Sequence, residues 1–224
     1  MERKAETPGM IKKKSLYRDE IRDRIKQAII TREILPGERI VETRWAKQLG
    51  VSQAPVREAI RELEAMGYVE TIPYQGSIVR VITKEEILQG NRIRVELDKI
   101  GVEEACEKIT EEELKNLREI LDEMEAAADA DNMSDYISLN VKFHQAVIAA
   151  SGSPVLVRLW DQCNFEEWIF SSTDRMRQDL PKLARRHEIL YNALANRDKE
   201  LALKESRKHV EELGEQLKDL PGGE

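Results

Sequence analysis

The sequence predicts a mostly α chain in two parts: three helices with a small β-hairpin, then an all-helical bundle. Two observations carry this expectation. Apolar residues recur at spacings of three and four through nearly the whole chain, and the period changes only once, to β-branched runs between residues 68 and 81. Charged residues make up 35% and aromatics 5% of the 224 residues, a balance suited to helices that bury narrow apolar stripes and expose the rest to water.

Taken in order, residues 1–14 carry no hydrophobic period, and Lys12-Lys13-Lys14 gives them the composition of a basic flexible arm. From Leu16 to Ile34, the residues Ile21, Ile25, Ala28 and Ile29 mark an amphipathic helix, which Leu35-Pro36-Gly37-Glu38 breaks with a Pro-Gly turn signal. Two short helices are expected near 43–49 and 53–66. Gly50 is placed to end the first and Ser52 to cap the second, and Pro55 falls in the second helix's first turn, where a missing N–H costs nothing. "YVETI" (68–72) and "SIVRV" (77–81), separated by "PYQG", read as a hairpin. Beyond Thr83, a candidate N-cap, the chain reads as helical to about Leu220. Breaks near 108–110, 129–133, 152–154, 178–181 and 196–198 leave about six helices.

Charge separates the two parts. Residues 1–80 hold 16 Lys/Arg against 12 Asp/Glu, a net +4, whereas the remaining 144 hold 20 against 31, a net −11. A basic module on an acidic body points toward a polyanion as its partner. No apolar run approaches the roughly 18 residues that span a bilayer. The opening "MERKAETPGMIKKK" has no hydrophobic segment behind its charges, so no secretory signal is expected. Cys106 and Cys163 stand apart without metal or redox spacing, which suits small buried hydrophobes in the reducing cytoplasm.

Within "SQAPVREAIRELEAMG" (52–67), Val56, Ile60, Leu63 and Gly67 form the face that packs inward. Gln53, Arg57 and Arg61 lie off it at four-residue spacing. Such a helix directs its N-terminal amides and its guanidinium groups one way. Amides at a helix N-terminus attract phosphate, and arginine pairs bidentately with phosphate or guanine. Two arginines alone describe a solvated face equally well. Three helices followed by a wing whose tip is Tyr74-Gln75-Gly76 form the winged helix-turn-helix plan.

The segment 34–79 closely resembles the DNA-binding domain of the GntR family of bacterial transcription regulators. The matching elements are Leu35-Pro36-Gly37-Glu38, Leu49-Gly50-Val51-Ser52, Pro55-Val56-Arg57-Glu58-Ala59, Leu63, Gly67 and Gly76, in order. The resemblance implies double-stranded DNA, a near-palindromic operator, as partner. It implies DNA contacts from Arg57, from Ser52 and Gln53 at the start of the same helix, from Gln75 and Gly76 at the wing tip, and from Arg44 on the preceding helix. Gln53 departs from the Arg or Lys of many relatives. That exchange either removes a charged contact or reads an adenine edge.

All three histidines of the chain fall on predicted inward faces. His144 follows Asn140 by one turn among Tyr136, Phe143, Val147 and Ile148. His187 interrupts the seam Leu180, Leu183, Leu190, Leu194. His209 shares a stripe with Ala202, Ser206, Leu213, Leu217 and Leu220. Any one of these reads as a buried, hydrogen-bonded core histidine. Three together form a pattern of N/O ligands for zinc, nickel or a similar ion, provided their helices are adjacent.

The C-terminal 140 residues resemble the FCD domain, the helical effector domain of one GntR subfamily, and the resemblance implies that adjacency. The family's metal-binding Asp-x-x-x-His pair falls at Asn140 and His144, and its other ligands at His187 (in "RRHEILYNAL") and His209. The expected cofactor is a divalent ion, zinc or nickel first and manganese next. Asn140 replaces a common Asp, so one negative charge is lost: the site either holds metal less tightly or leaves it more positive toward an anion. "NRIRVELDK" (91–99) resembles the first helix of that domain. Arg94 there is either the anchor of a small organic acid or the partner of Asp98. Glu205, four residues before His209, reads as a carboxylate that orients that imidazole by hydrogen bonding or as an ordinary solvated charge. Trp160, Phe165, Trp168 and Phe170 are expected to line the core or a dimer face.

The expected organisation is an arm over 1–14, a DNA-binding domain over 15–81, a linker or helix start over 82–88 and an effector-binding, dimerising domain over 89–220. The resemblance implies a homodimeric, ligand-responsive transcription regulator rather than an enzyme, with an effector from sugar-acid, hydroxy-acid or fatty-acid metabolism. Two alternatives stand beside it. One is a helical metalloenzyme using Asn140 and the histidines, although no Glu-x-x-His motif or neighbouring nucleophile supports it. The other is a DNA-binding regulator whose helical part only dimerises.

Overall fold

The computed structural model describes residues 8–163, 165, 169 and 179–219, with side chains inside these ranges except at 8–16, 213 and 216–219. Trp168, Phe170 and the side chains of Lys12–Lys14, Leu213, Leu217 and Leu220 lie outside the described set. The chain divides into two compact units, residues 1–81 and 82–224.

In the first unit, α1 (Pro8–Ile30), α2 (Glu42–Leu49) and α3 (Gln53–Ala65) precede an antiparallel hairpin of β1 (Val69–Ile72) and β2 (Gly76–Val79). Helix α1 begins earlier than the expected Leu16, so residues 8–14 are helical rather than an irregular arm. A first-turn proline tolerates helix because its position has no bond to donate. It also ends before Ile34. Arg32 takes a left-handed backbone (φ 60°), and the Ile34 amide turns back to the Ala28 carbonyl at 3.0 Å. The expected stripe of Ile21, Ile25, Ala28 and Ile29 is buried, and it packs with Trp45 of α2 and with Val56, Ile60 and Leu63 of α3.

Gly50 ends α2 as expected, in the left-handed region at φ 67°. Ser52 sits at the N-cap of α3, yet its side chain makes no capping hydrogen bond. The wing is shorter than its β-branched runs, with Val69 opposite Val79 and Ile72 opposite Gly76. Sequence reading missed a third extended segment. Residues 37–40 pair with β2 through Gly37 N–H to Val79 O, Val79 N–H to Glu38 O and Ile40 N–H to Ser77 O, at 2.8, 2.9 and 2.8 Å. The Pro-Gly turn therefore leads into the wing's other edge and leaves neither edge of β2 bare.

Among the described residues the second unit contains six helices: α4 (Lys84–Lys108), α5 (Glu111–Asp129), α6 (Met133–Ala150), α7 (Pro154–Gln162), α8 (Leu180–Ala195) and α9 (Lys199–Asp219). Thr83 caps α4 in a reciprocal capping box with Glu86, and Thr110 does the same for α5 with Glu113. Helix α4 packs on α6 and α9, α5 on α6 and α8, and α8 on α9. Gly101 permits the α4–α6 crossing, because a Cβ there would lie 2.3 Å from Ile148 Cδ1. Arg197, in the α8–α9 turn, donates to the Cys106, Glu107 and Ile109 carbonyls at 3.0, 2.9 and 2.8 Å, closing the C-terminal end of α4. No described helix is long and apolar enough to cross a membrane.

Candidate functional site

Burial splits the candidate residues into two kinds. In the first unit Arg44, Ser52, Gln53, Arg57 and Gln75 are exposed, and Gly76 is half-buried at the wing. Gly76 has φ +87°, a backbone that favours glycine, and a Cβ there would come within 3.2 Å of the Arg39 Nη2 side-chain end. Its neighbour Tyr74 stands fully exposed at the tip with φ 66°, a rare conformation for a bulky residue. Arg57 projects from the first turns of α3, where its guanidinium meets Glu42 at the start of α2. Nε lies 3.0 Å from Oε1 and 3.1 Å from Oε2, and Nη2 lies 2.8 Å from Oε2. This hydrogen bond holds the Glu42 carboxyl below its usual range and raises Arg57. Neither partner was singled out as a pair in the sequence, because the two lie 15 residues apart on different helices.

In the second unit the candidates converge inside the bundle. Helix α6 contributes Asn140 and His144, α8 contributes His187, α9 contributes His209, and α4 contributes Arg94 and Asp98, all buried. One ligand nitrogen from each histidine lies within 4.8 Å of one from each of the others. The inward faces read from periodicity thus meet at one point, between helices that periodicity alone left unpaired.

Hydrogen bonds fix much of this cluster. His187 Nδ1 sits 3.2 Å from the Leu183 and Ala184 carbonyls. Carbonyls only accept, so Nδ1 carries the proton and Nε2 presents its lone pair inward. Asn140 Nδ2 lies 3.3 Å from that Nε2 and 3.3 Å from the Tyr136 hydroxyl. His144 Nδ1 lies 3.7 Å from Asp98 Oδ2. Asp98 also accepts from Arg94 Nε at 3.3 Å and from Trp160 Nε1 at 2.8 Å. Within this cluster three buried polar atoms make no hydrogen bond to the described residues: Arg94 Nη2, Asn140 Oδ1 and His144 Nε2.

Burial sets the protonation states. It drives His144 and His209 well below the usual histidine range, with Arg94 and neighbouring imidazoles adding repulsion, and His187 to about 4, against the pull of its backbone hydrogen bonds and with Arg94 and Arg186 adding repulsion. All three imidazoles are therefore neutral at pH 7, the form that ligates metals. Burial raises Asp98 against the pull of Arg94 and Trp160, and raises Tyr136 to about 12.

Of the two sequence alternatives for Arg94, the structure contains the pair with Asp98, made through Nε, and leaves Nη2 without a hydrogen bond among the described residues. The carboxylate beside a histidine is Asp98, whereas Glu205 is only half-buried. Trp160 is buried as expected, yet it also bonds Asp98 across 62 residues, a contact no local pattern signals. Phe165, buried against it, places its ring near the Arg94 guanidinium.

Comparison with known proteins bears on both units. Residues 17–79 match the model of bacterial regulatory proteins, gntR family, and residues 91–212 match the FCD domain. The chain is 30% identical over 143 residues to the HTH-type transcriptional regulator McbR of Escherichia coli (strain K12), covering 64% of this chain and 65% of that protein. It is 34% identical over 143 residues to the uncharacterized HTH-type transcriptional regulator YdhC of Bacillus subtilis (strain 168), covering 63% and 64%. Each match spans less than two thirds of the relative's length. The solved structure of E. coli McbR/YncC superposes with a TM-score of 0.70 at 26% identity, over 89% of this chain and 94% of that one. With both family models matched in order, the chain belongs to the gntR family of bacterial regulatory proteins, its helical C-terminal part being an FCD domain.

Proposed function

We propose that this chain is a cytoplasmic, homodimeric transcription regulator whose winged helices bind the half-sites of a near-palindromic operator. In this reading α3 enters the major groove, where Ser52, Gln53 and Arg57 reach bases and phosphates. Arg44 lies toward the backbone, and Gln75 and Gly76 bring the wing to the adjacent groove. The helical unit senses a small organic acid through a divalent metal site.

The observation that carries ligand sensing is the meeting of three neutral, buried histidines with three polar atoms that have no hydrogen bond among the described residues. Burying such atoms unpaired costs roughly 1–3 kcal/mol each, a cost that a bound group removes. The donor set suits zinc, nickel or manganese. His187 Nε2, His144 Nε2 and a His209 nitrogen are the nitrogen donors, and a half-turn of the Asn140 amide presents Oδ1 in place of Nδ2. The ion would supply a positive centre for a carboxylate. Arg94 Nη2 would pair with the same carboxylate, and Asp98 would orient both Arg94 and His144.

The test is fluorescence anisotropy of a selected DNA duplex with metal-supplied protein, titrated with simple hydroxy- and sugar acids. Coupling of 1–3 kcal/mol, typical for such regulators, is a shift of roughly 5- to 150-fold in DNA affinity. Arg94→Ala should abolish it. DNA binding that no acid alters, with or without metal, would leave the helical unit a dimerising body only.

A further inference from the structure

The interior of the helical unit belongs to the function already proposed, but the Glu42–Arg57 pair does not. A guanidinium offers two bidentate edges, one formed by Nε and Nη2 and the other by Nη1 and Nη2. Glu42 takes the first, through Nε at 3.0 and 3.1 Å and Nη2 at 2.8 Å. Two N–H groups on Nη1 and one on Nη2 are left over. They point away from the carboxylate along the second edge, whose spacing matches guanine O6 and N7.

From this geometry we infer that Glu42 is a positioning residue that makes Arg57 a reader of one guanine rather than a clamp for phosphate. The inference rests on the DNA-binding reading of α3. Two physical effects follow from one carboxylate. Held on two bonds, the side chain of Arg57 loses the rotamer freedom it would otherwise surrender on meeting a base. The carboxylate also cancels the guanidinium charge and repels the phosphates that would compete for it, so contacts carrying no sequence information are weakened. Nearby, Arg61 is held by Glu58 at 3.1 Å on the same helix, at i and i+3. Glu42 differs by reaching across from α2, so it sets the direction of Arg57 relative to the groove-facing end of α3.

The experiment selects binding sites from a random-sequence duplex pool with the full chain. It then measures affinity for the selected site and for versions with each guanine replaced by adenine, for wild type, Arg57→Ala, Glu42→Ala and Glu42→Gln. Wild type should lose roughly 5- to 100-fold at one guanine per half-site, and Arg57→Ala should erase that preference. Glu42→Ala should bind non-selected DNA several-fold more tightly, with a salt dependence of log K steeper by about one. Its penalty at the same guanine should fall below about 3-fold. Glu42→Gln, which keeps the size and one acceptor, should lie between. If Glu42→Ala tightens all sequences equally and keeps the full guanine penalty, the carboxylate only tunes charge and the inference is overturned. A guanine preference that survives Arg57→Ala overturns it too, while leaving operator binding intact. If wild type enriches no sequence, the DNA-binding reading fails first and this one with it.

Discussion

Arg57 and Arg94 each face a single carboxylate, and the two pairs sit in opposite physical regimes. The Arg57–Glu42 pair lies on the surface, with side chains 53% and 28% exposed, so water competes for every bond. The Arg94–Asp98 pair is only 2% and 3% exposed, and Arg94 keeps an Nη2 with no hydrogen bond among the described residues. An exposed pair contributes about 0–1 kcal/mol to stability. A buried pair is costly to assemble and costlier to break from one side. The DNA-binding unit therefore keeps its charged pair where a second partner can reach the open edge of the arginine, and the helical unit holds its pair in the interior.

The largest effect should come from breaking the two pairs in parallel. Asp98→Ala leaves Arg94 charged and buried, strips Trp160 of its acceptor and removes the carboxylate 3.7 Å from His144 Nδ1, so denaturant unfolding should report a loss of about 3–5 kcal/mol. Glu42→Ala should lose less than about 1 kcal/mol by the same measurement. Equal losses would erase the contrast.

Acid sharpens it next. The three histidines titrate lower in the fold than in the unfolded chain, so the unfolded state takes up protons first as pH falls below about 6.5. Stability of the helical unit should then drop, with His187, held at about 4, accounting for on the order of 3 kcal/mol across that window. Asp98, raised by burial, works in the opposite sense and offsets part of the loss at the acid end. Urea unfolding between pH 7 and 4 measures the slope. His187→Phe should flatten it, and an unchanged slope would mean that His187 is not the group titrating.

The smallest effect lies at the wing. Tyr74→Gly relieves a left-handed backbone and also frees the unfolded chain, two terms of about 1 kcal/mol each with opposite signs. Thermal unfolding should move by less than about 1 kcal/mol, as befits a tip that packs on nothing described. A larger loss would show Tyr74 holding the hairpin in place.

How far these features could be read from sequence follows the range of the interactions. The helix start at Thr83, the break near 108–110, the stop at Gly50 and the inward stripe of α1 depend on neighbours within a turn or two, and local pattern finds them. The inward faces of His144, His187 and His209 are local as well, but their meeting depends on how α6, α8 and α9 pack, which no period encodes. Contacts bridging distant segments left no trace: Trp160 with Asp98, Arg57 with Glu42, and the 37–40 segment along β2. The uncapped Ser52 and the early start of α1 at Pro8 show the reverse failure. A residue type suited to a role does not establish that its side chain takes it, and a polar stretch without an apolar stripe can still be helical.

The central claim is that the unpaired atoms around His144 are a metal site despite Asn140, and metal content tests it most directly. Elemental analysis of tag-free protein supplied with zinc, nickel or manganese should find about one ion per chain, and close to none in His144→Ala. Asn140→Asp, which restores a charged ligand and removes the N–H donated to His187, should hold the ion against a chelator that strips wild type. No ion in wild type under any of these conditions would contradict the claim and leave the three histidines as polar residues of a metal-free interior.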